Sequence, residues 1–166
     1  MSEFAIAEDP MSADPLDTVE IFCRRADMDA ERIDDTELHI SLSGSWREVG
    51  IWFGWRMDAQ MLQIGAPLEL KVPEARRDEV CRLLTLVNER LWLGHFDLDG
   101  EIGLIYRNTT VLPIAQGLDD CQAEILVRAA LDAFDRFFPA FNFVVWGGET
   151  ADKAFSSAIC ETAGNA

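Results

Sequence analysis

His95, Asp97 and Asp99, in the run His95-Phe96-Asp97-Leu98-Asp99, are the residues whose types and spacing could do chemistry. On a β-strand, residues two apart project from one face, so an imidazole and two carboxylates would stand together. Such a trio can hold a divalent cation, or divide acid and base work between histidine and a carboxylate. A plainer reading is the outward face of a hairpin strand. Asp99 then belongs to the Asp99-Gly100 turn, and His95 lies near the C-terminal end of the preceding helix. The plainer reading is preferred, so no metal, cofactor or catalytic residue is assigned, and the trio is kept as the alternative of a metal-binding protein or enzyme. His39 is expected on the polar face of its own strand without a carboxylate or thiol close by in sequence, and joins the trio only in that alternative.

Nothing else carries a catalytic signature. The chain has no G-x-G-x-x-G, P-loop, H-E-x-x-H or G-x-S-x-G motif, and Ser43 and Ser45 have no recognisable base. Cys23, Cys81, Cys121 and Cys160 are evenly spread without a C-x-x-C pair or zinc spacing. Cys81 and Cys121 fall in helical patterns and are read as buried thiols acting as small hydrophobes. A non-enzymatic protein is therefore expected.

The tryptophans suggest recognition instead. Trp46, Trp52, Trp55, Trp92 and Trp146 accompany a single tyrosine, and most are expected in the core. In the strand pattern ending at Arg56, Val49, Ile51, Phe53 and Trp55 share one face, while Gly50, Trp52 and Gly54 occupy the other. If only one face is covered, an aromatic is left for a partner. Pro67 removes a backbone donor from the following strand and marks an edge or a bulge. Trp52, Trp55 and Pro67 are the candidate partner-binding residues. Arg107 and Arg128 are weighed as flanks of such a groove, with surface solvation the plainer role. A small-molecule sensor, with an aromatic cavity between sheet and helices, is a further alternative.

The elements that position these residues follow from local signals. Asp14-Pro15 starts a helix that ends near Met28, with Leu16, Val19, Phe22, Cys23 and Ala26 on one face. Three alternating strands follow: one through Leu38, Ile40 and Leu42, one through Val49 to Trp55, and one through Leu62 to Leu70. A helix from Pro73 carries Val80, Leu83, Leu84, Val87 and Leu91 at helical spacing and is stopped by Gly94. A hairpin spans His95 to Tyr106. A long helix begins near Asp119 with Gln122 placed for a capping box; Pro139 should kink or end it. Phe141 to Trp146 are read as its continuation to Gly147-Gly148, with a short helix near Asp152 to Glu161 beyond. The expected fold class is α+β, an antiparallel sheet with packed helices in the order α-β-β-β-α-β-β-α. Residues 1–13 are expected to be a flexible acidic leader and residues 14–166 a single domain.

Composition narrows the partners. A hydrophobic fraction of 49% with 27% charged residues is globular. The formal charge of −16 disfavours nucleic acid and anionic membrane surfaces. Residues 1 to 35 hold eleven carboxylates against three arginines, half of that excess in about a fifth of the chain. The plainer reading is a solvated face, with an acidic docking patch for a basic partner as the sharper one. No secretory pattern opens the sequence, and a cytoplasmic location is expected.

The blocks Asn88 to Asp99 (NERLWLGHFDLD), Arg107 to Thr110 (RNTT), Phe138 to Gly148 (FPAFNFVVWGG) and Glu161 to Gly164 (ETAG) resemble the YbjN family, described as a "putative bacterial sensory transduction regulator". The resemblance spans roughly residues 15 to 164 and carries no catalytic signature. It implies a fold similar to type III secretion chaperones, which are small, acidic, usually dimeric, and hold extended client segments on apolar patches. Fold analogy does not transfer function. The expectation is a bacterial regulatory or chaperone-like protein, a homodimer, that recognises a partner polypeptide through an apolar surface or a sheet edge.

Overall fold

The computed structural model describes residues 14–113 and 116–163, with side chains through residue 160. The acidic leader expected over residues 1–13 lies outside the described residues. Helix α1 spans Pro15–Arg25; the Asp14 carboxylate accepts from the Leu16 N–H at 2.9 Å and Pro15 takes the first turn. Leu16, Val19 and Cys23 are fully buried, whereas Ala26 is exposed, because the helix stops at Arg25 and Asp27 turns the chain with a left-handed φ of 56°. The next element is a strand the sequence reading lacked, β1, Asp29–Arg32. Its residues show no apolar alternation because it pairs only through backbone, along one side of β2. Arg32 ties it back to α1 through Asp14 and Asp17.

Strands β2 (Glu37–Ser43), β3 (Glu48–Arg56) and β4 (Met61–Pro67) keep the expected alternation. Their apolar faces align in register, Ile40 opposite Ile51 and Phe53 opposite Ile64. After β4 a 3-10 turn, Glu74–Arg76, leads into α2, Arg77–Asn88, which buries Val80, Leu83 and Val87. Strands β5 (His95–Asp99) and β6 (Gly103–Val111) form the hairpin, closed by three residues rather than the two of a tight turn, since Asp99 pairs with Gly103. Helix α3 runs Asp120–Val145 from a complete Asp119–Gln122 capping box, and α4 spans Ala151–Ala163. Pro139 sits inside α3 without ending it, so Phe141 to Val145 continue the helix. Phe137, Ala140, Phe141 and Val144 are all fully buried, and their packing holds the turn that lacks the Pro139 N–H.

Gly94 does not cap α2. The helix ends at Asn88, whose side-chain amide donates to the Phe96 carbonyl at 3.0 Å and accepts the Phe96 N–H at 2.8 Å, covering backbone on the outer strand β5. At the far end of the layer, Arg76 donates to the carbonyls of Val144 and Glu149, and Glu79 accepts the Ala151 N–H at 2.7 Å. These bonds satisfy the end of α3 and the start of α4.

The six strands form one antiparallel sheet in the order β1-β2-β3-β4-β6-β5. This is the expected α+β class with one additional strand at its start and a separate final helix. The helices pack on the face presenting Leu38, Ile51, Ile64 and Tyr106, which are buried with Phe134, Phe137 and Phe141 of α3. No helix among the described residues is long and apolar enough to cross a membrane.

Tyr106, the sole tyrosine, reports on this core. It is fully buried and donates to the Leu93 carbonyl at 2.9 Å, and burial pushes its hydroxyl from 10.0 up to about 12. A raised folded value means the folded chain holds the proton more tightly. The contribution to stability is thus complete below about pH 10 and is lost as the pH rises through the folded value. Tyrosinate absorbance of the native protein is expected to rise with a midpoint near 12, and near 10 in denaturant. A native midpoint at the ordinary value would contradict this burial.

Candidate functional site

The face of the sheet away from the helices carries the alternate residues of each strand. In register across it stand Glu31, His39, Trp52, Gly65, Arg107 and His95, one from each strand in sheet order. Trp52 is half-buried, and what shelters it is Gly65 on β4. A Cβ built at Gly65 would fall 2.3 Å from the Trp52 ring, so the indole lies where any larger residue would stand. A Cβ at Gly54 would reach ordinary contact with the ring at 3.6 Å, whereas a Cβ at Gly50 would meet nothing within 4 Å. The space above Gly50 belongs to an open pocket of about 460 Å³, lined by His39, Ser41, Arg47, Trp52, Pro67 and four carboxylates: Asp29, Glu31, Glu48 and Glu69.

Two of the candidates from sequence therefore meet in one place. Trp52 and Pro67 line this pocket, but Pro67 does so at the end of an interior strand, since β4 lies between β3 and β6. Although β4 is interior, Pro67, its last residue, pairs with Ile105 of β6 and has no partner on β3, whose pairing with β4 stops at Trp52 and Gly65, so its missing N–H falls on a locally open edge. Trp55, only 6% exposed, is buried under the helices with Phe53 and offers no surface to a partner. The expectation that most tryptophans are core is also corrected. Trp46, Trp92 and Trp146 are exposed, Trp92 fully, and only Trp55 is buried. The pocket lies on the outer face and not between sheet and helices, where the alternative of a small-molecule sensor would place its cavity.

Arg47 is paired with Glu69. Asp29, Glu31 and Glu48 make no ion pair or side-chain hydrogen bond with another described residue, so the pocket wall is net negative. His39 is not without a carboxylate: Glu37, two residues earlier on the same face, meets its Nε2 at 2.5 Å. The indole N–H of Trp52 bonds to no described residue and is free to meet a carbonyl.

His95, Asp97 and Asp99 do share the outer face of β5, as their spacing requires. What the carboxylates face is Arg107 of β6, at 2.7 Å from Asp99 and 3.8 Å from Asp97. The other Asp99 oxygen accepts the backbone N–H groups of Glu101 and Ile102. Those N–H groups, Ile102 first, and then Arg107 hold the Asp99 carboxyl below its usual range. Asp99 is thus a turn residue clamped by an arginine, and no hydrogen bond links His95 to either carboxylate. No cluster of three His, Cys, Asp or Glu among the described residues has a geometry that could hold a metal ion.

Of the other candidates, Arg128 pairs with Glu124 on the solvent side of α3. Neither it nor Arg107 lines the pocket. Cys81 and Cys121 are exposed, against expectation; the buried thiol is Cys23, which burial, reinforced by Glu20, raises to about 11 and leaves inert. The glycines flanking Trp52 in the sequence leave room on that face, and Gly50 does so here. The role of Gly65 was missed, because the cross-strand register that gives it is not readable from sequence.

The class is thus an α+β protein with helices on one face of an antiparallel sheet and an aromatic-floored, acidic pocket on the other. Its family follows from comparison. The family model YbjN, "Putative bacterial sensory transduction regulator", matches residues 15–143, and the chain belongs to the YbjN family. A crystal structure described as "YbjN, a putative transcription regulator from E. coli" shares the fold with a TM-score of 0.53 at 15% identity, over 74% of this chain and 87% of that one. No curated protein matches the chain.

Proposed function

We propose that this protein is a non-enzymatic, cytoplasmic regulatory protein that acts by holding a partner polypeptide on the uncovered face of its sheet. The observation that carries the reading is Trp52, a half-buried indole seated on Gly65 beside open space above Gly50. An aromatic anchor next to unfilled volume is the usual arrangement of a recognition hot spot. The Arg107 clamp on Asp97 and Asp99 argues against acid–base or metal work by that trio. The homodimer implied by the family resemblance belongs to the same proposal, and a solution mass twice the 18.6 kDa of one chain would bear it out.

The cleanest test fills the pocket without touching the fold. Gly50→Ile adds a β-branched side chain to a strand position where nothing stands within 4 Å and φ is not positive. The melting temperature is expected to hold or rise, since the change also restricts the unfolded chain. Binding to extended peptides displayed on an array is expected to disappear. Peptide binding that persists in Gly50→Ile would remove this face from the proposal.

A further inference from the structure

We infer that the partner segment is basic, and that one of its arginine or lysine side chains lies over the Trp52 indole between the carboxylates of Asp29, Glu31 and Glu48. The inference rests on the polypeptide-binding reading above and adds the chemistry of the partner. Among the described residues four carboxylates line the pocket, and the one arginine or lysine there, Arg47, is already paired with Glu69. Covering Asp29, Glu31 and Glu48 with a neutral chain would strip water from three charges and return nothing. A guanidinium or ammonium group replaces that water with opposite charge and gains a cation–π contact with the exposed part of Trp52.

Charge also decides against the other occupants. In a two-fold contact of this face with itself, the same acidic wall would meet its own copy. Nucleic acid and anionic lipid carry the wrong sign for a chain of −16. An extended segment suits the surroundings because the pocket is open and its lining comes from β1, β2, β3 and the end of β4, so a chain laid across that face meets the acidic residues of β1 and the indole of β3 in turn.

The experiment compares extended arginine-containing peptides with the same peptides carrying citrulline, which keeps the shape and removes the charge. Binding of both is measured by titration calorimetry to the full chain and to Trp52→Leu, Glu31→Gln and Gly50→Ile. The arginine peptide is expected to bind roughly tenfold more tightly than its citrulline counterpart at low salt, with the gap closing as salt rises. Trp52→Leu should weaken it by a similar factor, Glu31→Gln by less, and Gly50→Ile should abolish it with the melting temperature retained. If the citrulline peptide binds equally well and Gly50→Ile removes both, the basic assignment is overturned while the binding reading stands. If no peptide binds, or Gly50→Ile changes nothing, both fall. A solution mass that halves in Gly50→Ile, with no peptide bound by the parent chain, would give the face to a second copy and overturn the inference.

Discussion

Phe96→Ala is expected to lower the unfolding free energy by about 3–5 kcal/mol, the usual range for removing a buried phenylalanine. Phe96 is 2% exposed on the core face of β5, and its ring meets Tyr106 at 5.7 Å edge-on, Phe137 at 6.2 Å edge-on and Phe141 at 5.1 Å. One side chain thus joins the outermost strand, its neighbour β6 and the second half of α3. Truncation leaves a cavity among three aromatic rings that cannot collapse together, because Tyr106 is held on β6 and Phe137 and Phe141 on α3. The backbone bonds between Asn88 and Phe96 survive the change, so the loss belongs to the ring alone. Trp146→Ala serves as the control: Trp146 is 65% exposed, and its removal should stay within about 0.5 kcal/mol. Equal midpoints for the two variants in urea unfolding would show that Phe96 does not join these elements as described.

Gly94→Ala is expected to cost about 3 kcal/mol through strain and overlap together. Gly94 has φ of 73°, a conformation that penalises any residue with a Cβ. The added carbon would also fall 2.3 Å from the Tyr106 hydroxyl oxygen and 2.7 Å from the Arg107 carbonyl oxygen. Tyr106 is fully buried and cannot step aside, and the carbonyl belongs to the pairing of β5 with β6. Either Tyr106 gives up its bond to the Leu93 carbonyl or the hairpin shifts. Two readouts follow: a lower denaturation midpoint, and a Tyr106 titration displaced from about 12 toward the ordinary value. Gly100→Ala, where φ is not positive and nothing stands within 4 Å, should change neither. A Gly94→Ala protein as stable as Gly100→Ala would show that Tyr106 is not held against this turn.

Both predictions concern the stretch from Asn88 to Tyr106, whose first part, Asn88 to Asp99, is one of the blocks that carried the family resemblance. Part of the reason that stretch is so particular is physical. Asn88 satisfies the edge of β5, Gly94 admits Tyr106, and Phe96 fills the space between sheet and α3. These contacts are ring packing, a close approach and hydrogen bonds to backbone, in keeping with a motif that serves the packing of the fold. The pocket that carries the functional proposal lies elsewhere, on strands β1 to β4 and the Glu69 turn that follows.

By itself the sequence determined the elements whose signals are local. Asp14-Pro15 and the Asp119–Gln122 box start helices because a cap acts on the next few backbone N–H groups, and the alternations in β2, β3 and β4 declare a period that any packing must respect. The α+β class followed from their order. Only the tertiary structure decided which face of the sheet the helices take, and with it why Trp55 is buried and Trp52 is not, though the two lie three residues apart. It also decided that β1 exists, that Arg107 clamps Asp97 and Asp99, and that Gly65 and Gly94 are seats for aromatic rings from other positions in the chain. The reason is one of range. Periodicity and capping act over a few residues, whereas coverage, register and close approach depend on groups that only the completed sheet brings side by side.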